Sequence, residues 1–250
     1  MSRCWLTGAS SGIGAALAQQ LLEQGHQVAL GGRCAERLAP LAERFPGQVL
    51  LALGDLDDPA QVTAIANRIA QAWGALDTVI LNAGTCEYLE PGHFDPALVE
   101  RVIRTNVLAV SHCLAAALPL LRAGHRPHLL VMGSAVTWLA LPRAGAYGAS
   151  KAALRYLVES LRIDLAGEGI AVTLVNPGFV DTPLTRRNDF PMPQLWSAQR
   201  AARHIARRLP GRPLEISFPW FFTLVLRLLG ALPARLRLAL GQRLARHEQE

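Results

Sequence analysis

Short apolar runs alternate along the chain with longer stretches in which apolar residues recur at helical spacing. The short runs predict strands at Arg3–Leu6, Gln27–Leu30, Gln48–Ala52, Leu76–Leu81, His128–Met132, Ala171–Asn176 and Leu214–Phe218. Several are apolar almost throughout, which suits strands covered on both faces. The longer stretches predict helices over Ile13–Gln24, Glu36–Arg44, Pro59–Trp73, Pro96–Leu121, Ala146–Ala166 and Ser197–Leu209. A repeated β-α rhythm needs crossover connections, so the expected fold class is α/β: a doubly wound parallel β-sheet with helices on both faces. No internal repeat, low-complexity tract or linker divides the chain. Segment Pro183–Leu195, rich in prolines and charges, is the most irregular stretch and predicts a mobile loop near a site.

Composition narrows the class. With 250 residues and 51% hydrophobic positions, the chain has enough apolar surface for one large core, which argues against disorder. The net charge of +6 points toward nucleic acid only until it is located. Residues 200–250 carry ten arginines against Glu215, Glu248 and Glu250, while the first 199 residues carry 15 basic and 16 acidic groups. The basic character belongs to the C-terminal fifth, and no nucleic-acid partner is expected. Cys4, Cys34, Cys86 and Cys113 form neither a CxxC pair nor a metal-like spacing with histidine. They read as free thiols in a reducing compartment, with no metal. The first dozen residues run straight into a glycine-rich motif and leave no room for a secretory signal, so the expected location is cytoplasmic.

That motif is Thr7-Gly8-Ala9-Ser10-Ser11-Gly12-Ile13-Gly14, between a predicted strand and a predicted helix. A pyrophosphate fits such a turn, because glycines let the backbone approach and the helix start offers free N–H groups. A glycine turn by itself is a weak signal; its place directly after an apolar strand strengthens it. The second strand ends at Gly31-Gly32-Arg33. A carboxylate there would bond the ribose 2′-hydroxyl of NAD(H). Its absence, with an arginine at hand for a 2′-phosphate, favours NADP(H) and leaves NAD(H) as the alternative.

Of 25 lysines and arginines only one is lysine, Lys151, four residues after Tyr147. Positions i and i+4 share a helix face. A compact ammonium beside a phenol is expected to stabilise the phenolate and lower its pKa, making Tyr147 a general acid or base. Arginine, planar and permanently charged, is no equivalent. Ser134 follows the strand His128–Met132 and so stands where doubly wound sheets hold ligands; its hydroxyl can polarise a carbonyl oxygen. Each residue also has a plain structural role available. Arg33 is then a solvated arginine, Lys151 an exposed charge near a packing tyrosine, and Ser134 a turn or cap residue.

Taken together these residues resemble the short-chain dehydrogenase/reductase family over about residues 3–185. The resemblance implies a Rossmann-type single domain over 1–250, with a cofactor-binding and catalytic core at 1–185. Residues 186–250 would form a variable substrate loop and C-terminal helical tail. Thr7–Gly14 matches the family's TGxxxGxG turn, so Gly8, Ser10, Ser11, Gly12, Ile13 and Gly14 would cradle the cofactor. Asp55 matches the acid that holds the adenine ring, with Leu56 beside it. Asn82-Ala83-Gly84 matches the NAG motif lining the cofactor. Pro177, Gly178, Val180 and Thr182 match the segment that contacts the nicotinamide amide. Asn106, Ser134, Tyr147 and Lys151 match the catalytic tetrad. By resemblance Tyr147 exchanges the proton, Ser134 holds the substrate oxygen, Lys151 tunes the tyrosine and bonds the nicotinamide ribose, and Asn106 positions a relay water. The structural alternatives are a helix-interior polar group for Asn106 and a cap of the helix after Pro59 for Asp55.

The expected function is therefore hydride transfer between a nicotinamide and a small-molecule carbonyl or alcohol, by a homodimer or homotetramer. A nicotinamide-sensing regulator on the same fold is the alternative from another class; it would have no need of Tyr147 and Lys151. An isomerase or dehydratase of the wider superfamily would need a longer tail. Segment Phe218–Leu240 is rich in Trp, Phe and Leu, and Arg235, Arg237, Arg243 and Arg246 interleave with leucines. A helix over the substrate site or against a second subunit is the first reading, and implies a hydrophobic substrate. Peripheral membrane contact, as in a lipid-carbonyl reductase, is the second. The apolar run is far too short to span a bilayer.

Overall fold

A computed structural model describes residues 1–90 and 92–245. Its strands are β1 (Arg3–Leu6), β2 (Gln27–Gly32), β3 (Val49–Leu53), β4 (Thr78–Leu81), β5 (His128–Met132), β6 (Ala171–Pro177), β7 (Val180–Asp181), β8 (Trp196–Ser197) and β9 (Glu215–Phe218). Its helices are α1 (Gly12–Glu23), α2 (Ala39–Arg44), α3 (Pro59–Trp73), α4 (Pro96–Ile103), α5 (Ala109–Arg122), α6 (Gly145–Asp164), α7 (Ala198–Arg208), α8 (Trp220–Gly230) and α9 (Ala234–Leu244). Seven strands form one parallel sheet in the order β3-β2-β1-β4-β5-β6-β9, and β7 pairs with β8 apart from it. The chain is thus a doubly wound α/β fold, as expected. The winding reverses between β1 and β4, and the carboxyl ends of these strands open into a crevice.

Alternation along the strands divides the core into two layers. Trp5, Ala29, Val79, Leu129 and Leu174 point to one face and pack with Ile65 and Ile69 of α3, Leu114 of α5 and Val158 of α6. Cys4, Leu6, Val28, Ile80 and Leu130 point to the other, against Leu17 and Leu21 of α1 and Ala202 and Ile205 of α7. A third cluster joins Ala135 and Leu139, just after β5, to Leu226 of α8 and Leu240 of α9. The tail therefore folds back over the strand ends. Arg246, singled out in the basic tail, lies outside the described residues, as do Glu248 and Glu250.

Two predicted helices are interrupted. The stretch Glu36–Arg44 divides into a 3₁₀ turn, Ala35–Arg37, and α2, with Leu38 buried between them. Pro40 falls in the first turn of α2, where its missing N–H is harmless; inside a continuous helix it would have broken a bond. The stretch Pro96–Leu121 contains a π turn at Arg104–Leu108 between α4 and α5. By length and composition Pro96–Arg122 is apolar enough to cross a membrane. Here its Val102, Val110, Cys113, Leu114, Ala117 and Leu121 are buried.

His128, at the start of β5, is buried with its Nε2 2.8 Å from Thr173 Oγ1. Thr173 donates its own hydroxyl proton to the Pro213 carbonyl, so the neutral imidazole donates to Thr173. Burial, helped by the charge of Arg212, pushes the imidazole pKa down to about 4. An unfolded histidine takes up its proton near pH 6.5, so this contribution is complete above that value and declines as pH falls toward 4. Urea denaturation should show a loss of about 2 kcal/mol between pH 7 and pH 5 that His128→Leu removes. An equal pH dependence in the variant would assign the loss to other groups.

Candidate active site

The crevice begins with a stitch between β1 and β4. The Thr7 hydroxyl accepts hydrogen bonds from the backbone N–H of Asn82 (2.9 Å) and of Ala83 (3.1 Å). The Asn82 amide returns across the gap and donates to the carbonyls of Thr7 (3.1 Å) and Gly8 (3.2 Å). Gly8 and Gly12 take the left-handed conformation, with φ of +68° and +55°. A Cβ on Gly14 would lie 2.1 Å from the Gly8 carbonyl oxygen, so glycine is what lets α1 start against the turn. Ser11 caps α1 without a side-chain bond, and the first intrahelical bond is Ala15 N–H to Ser11 O. The N–H groups of Gly12, Ile13 and Gly14 precede it and face a cleft of about 610 Å³. The cradle fits a dinucleotide pyrophosphate in space, charge and donor set.

Gly31-Gly32 owes its bareness to packing. A Cβ on Gly31 would meet the Leu6 carbonyl oxygen at 2.9 Å, and one on Gly32 would press on Leu38 at 3.1 Å. Arg33 lines the cleft beyond them, exposed and without a hydrogen bond or ion pair among the described residues. Asp55 and Leu56 line it after β3. Asp55 does not cap α3: its Oδ1 accepts from Asp57 N–H (3.1 Å), while Asp58 is the cap and accepts from Ala60 N–H (2.9 Å). Asn82, Ala83 and Gly84 line the cleft after β4, and Pro177, Gly178, Val180 and Thr182 line it after β6.

Ser134, Tyr147 and Lys151 converge on one wall. Ser134 follows β5 and caps a 3₁₀ turn, its Oγ accepting from Val136 N–H at 3.2 Å. That bond leaves the hydroxyl proton for Tyr147, to which Ser134 is also hydrogen-bonded. Tyr147 and Lys151 share a face of α6. The Lys151 ammonium is buried and donates to the Met132 carbonyl at 2.8 Å, with Nζ 5.8 Å from the centre of the Tyr147 ring. Burial pushes the lysine pKa down to about 8.

One electrostatic expectation is corrected. The Tyr147 phenol is pushed up rather than down: burial dominates, the nearby Cys86 thiol adds to it, and a hydrogen bond with Ser134 opposes it. The ammonium is turned to Met132 and does not offset the desolvation of a phenolate. Cys86 is itself raised by burial and is hydrogen-bonded to Tyr88.

Asn106 sits in the π turn and is fully buried behind the cleft rather than lining it. Its Oδ1 accepts from Thr85 N–H (2.8 Å), and its Nδ2 donates to Thr85 O and Ser150 Oγ (2.9 Å each). Ser150 in turn donates to the Tyr147 carbonyl at 2.7 Å. The side chain therefore clamps the segment after Gly84 to the turn of α6 that carries Tyr147. Ser150 had no role in the sequence reading, although it lies between Tyr147 and Lys151. Also missed were Arg101, Arg104 and Thr105, which reach the cleft from α4 and the π turn. In sequence they are ordinary polar helix positions; only the crossover brings them there.

Comparison with known proteins identifies the family. The model of the short chain dehydrogenase family matches residues 3–191. An uncharacterized oxidoreductase of Myxococcus xanthus is 35% identical over 243 residues, covering 96% of each chain. The cis-4-hydroxycyclohexanecarboxylate dehydrogenase of Sinomonas cyclohexanicum is 33% identical over 215 residues, covering 85% of this chain and 84% of its own. The crystal structure of a short chain dehydrogenase from Burkholderia cenocepacia in complex with NADP superposes with a TM-score of 0.83 at 26% identity, covering 98% of both chains. The protein belongs to the short-chain dehydrogenase family and is an oxidoreductase.

Replacing Asn106 with alanine would leave the partly buried Thr85 N–H and C=O without their Asn106 partners and remove the buried bond to Ser150. Asn106→Ala should lower unfolding stability by about 2–4 kcal/mol, read from urea denaturation. A change below about 0.5 kcal/mol would show that the clamp is not structural.

Proposed function

We propose that the protein is an NADP(H)-dependent carbonyl reductase or alcohol dehydrogenase. The observation that carries this reading is the meeting of Ser134, Tyr147 and Lys151 on one wall of the glycine-lined cleft. In this reading the start of α1 receives the pyrophosphate, Asp55 and Leu56 the adenine, and Arg33 the ribose 2′-phosphate. Asn82, Ala83 and Gly84 line the middle, and Pro177, Gly178, Val180 and Thr182 receive the carboxamide. The free Arg33 guanidinium and the absence of an acid at Gly31-Gly32 support NADP(H) over NAD(H), as does the NADP complex of the Burkholderia relative. Bound there, a nicotinamide dinucleotide supplies the hydride exchange with the substrate carbon.

The chain supplies proton control. Ser134 Oγ–H holds the substrate oxygen, and Tyr147 Oη–H gives that oxygen its proton. The phenol, raised by burial, carries its proton at neutral pH and can give it to the substrate oxygen. The Lys151 ammonium, charged below about pH 8 and 5.8 Å from the ring centre, lessens the cost of the phenolate left behind without overcoming its desolvation. Asn106 and Ser150 hold the backbone of Tyr147 in place, and in this reading Asn106 positions a relay water.

Residues 1–185 carry this chemistry in our reading, and residues 186–250 choose the substrate. Tyr88, Phe190, Phe179 and Phe222 form a chain of ring contacts, with centroids 5.5, 6.1 and 5.5 Å apart. Phe222 closes on Gly178, where a Cβ would lie 2.8 Å from its ring. This supports an apolar carbonyl as substrate. The protein works in the cytoplasm as a homo-oligomer; its free cysteines and the exposed Tyr156 and Ile163 on α6 are compatible with both.

Calorimetric titration should show NADPH binding more tightly than NADH, with the preference reduced at least about tenfold in Arg33→Ala. In carbonyl-dependent NADPH oxidation Tyr147→Phe should lose about 10²–10⁴ of kcat while still binding NADPH. Equal affinity for both nucleotides would overturn the NADP(H) assignment. Undiminished turnover in the phenylalanine variant would overturn the role of the tyrosine.

A further inference from the structure

Helix α8 has two faces that do opposite things. Its inner face carries Phe222, Thr223 and Leu226, which pack over the segment after β5 and over Gly178. Its outer face carries Trp220, Phe221, Leu224 and Leu228, with relative exposures of 71%, 52%, 43% and 62%. At helical spacing these four fall within an arc of about 100°. Nothing among the described residues covers them.

The charge along this stretch of chain has one sign. Between Ile216 and Ala245 the chain has no acidic residue and four arginines: Arg227, Arg235, Arg237 and Arg243. Arg227 is engaged with Glu215 and lies over the Trp138 ring. Arg235 and Arg243 make no ion pair among the described residues, and Arg237 donates only to the Gly230 carbonyl at 3.2 Å. All three stand on α9, joined to α8 by a three-residue turn, beside the exposed Leu236, Leu238 and Leu244.

We propose that the outer face of α8, with the arginines of α9, docks on an anionic phospholipid surface. Aromatic and leucine side chains enter the headgroup boundary, and guanidinium groups bond lipid phosphates. The α8 segment of 11 residues is far too short to span a bilayer, so the contact is peripheral. A second copy of this chain is the poorer occupant. A two-fold contact would gather the arginines of both copies in one interface with no carboxylate of the patch to neutralise them.

The test is co-sedimentation of the full-length chain with vesicles of phosphatidylcholine alone and of phosphatidylcholine mixed with phosphatidylglycerol. Binding should require phosphatidylglycerol, weaken as salt is raised, and fall at least about tenfold both in Trp220→Ser/Leu228→Ser and in Arg235→Gln/Arg243→Gln. Both variants should keep the circular dichroism of the wild type. Equal sedimentation with the two vesicle types, or unimpaired binding by the folded variants, would overturn the proposal. So would no binding to the mixed vesicles together with self-association that Leu228→Ser abolishes, which would assign the face to a second copy. The readout needs neither nucleotide nor turnover, so it stands or falls separately from the assigned chemistry.

Discussion

The site is organised around one ammonium taken out of water. Lys151 is buried, and removing a cation from solvent costs several kcal/mol unless polar groups replace its hydration. The Met132 carbonyl at the end of β5 provides one such group at 2.8 Å. This bond ties α6 to the strand end that also leads into Ser134, so Ser134 and Tyr147, which we propose face the substrate oxygen, share one anchor. A rise in the phenol pKa and a fall in the lysine pKa have the same cause, burial in the wall of the cleft. The result is an acid that keeps its proton at neutral pH beside a base that keeps its charge there.

The rest of the fold brings that wall opposite the glycine turn that we propose receives the pyrophosphate. Reversal of the winding between β1 and β4 opens the crevice, and Thr7 and Asn82 hold its two lips together. In the turn, Gly14 is required by its close approach to the Gly8 carbonyl; after β4, a Cβ on Gly84 would stand 3.0 Å from Asn106 Oδ1. Asn106 clamps Thr85 and, through Ser150, the backbone of Tyr147. The nucleotide wall and the proton wall thus have little freedom relative to one another, which is what positioning for hydride transfer demands.

The strand ladder was legible because buried parallel strands are nearly continuous apolar runs, and the glycine turn because it sits at a strand end. Tyr147 and Lys151 were legible from spacing and from the uniqueness of the lysine. Other features depend on long-range packing that no local pattern encodes. The bare Gly31-Gly32 pair is fixed by the approach of Leu6 and Leu38. The π turn that buries Asn106 breaks a stretch that reads as one helix. The phenol pKa depends on which way the ammonium turns, and it turns toward Met132. Arg101 and Arg104 reach the cleft only through the crossover, and α2 begins late because Pro40 belongs in a first turn.

The most direct test of this account is the pH dependence of reductive kcat/KM in the wild type and in Lys151→Arg. Burial lowers Lys151 to about 8 and raises both Tyr147 and Cys86, so lysine is the group of this wall that loses its charge in the window above neutrality. The wild type should hold a plateau below about pH 8 and decline above it, and the arginine variant, lower throughout, should show no such decline. A wild-type profile flat to pH 10, or the same decline in the arginine variant, would contradict the claim that the buried ammonium controls the proton step.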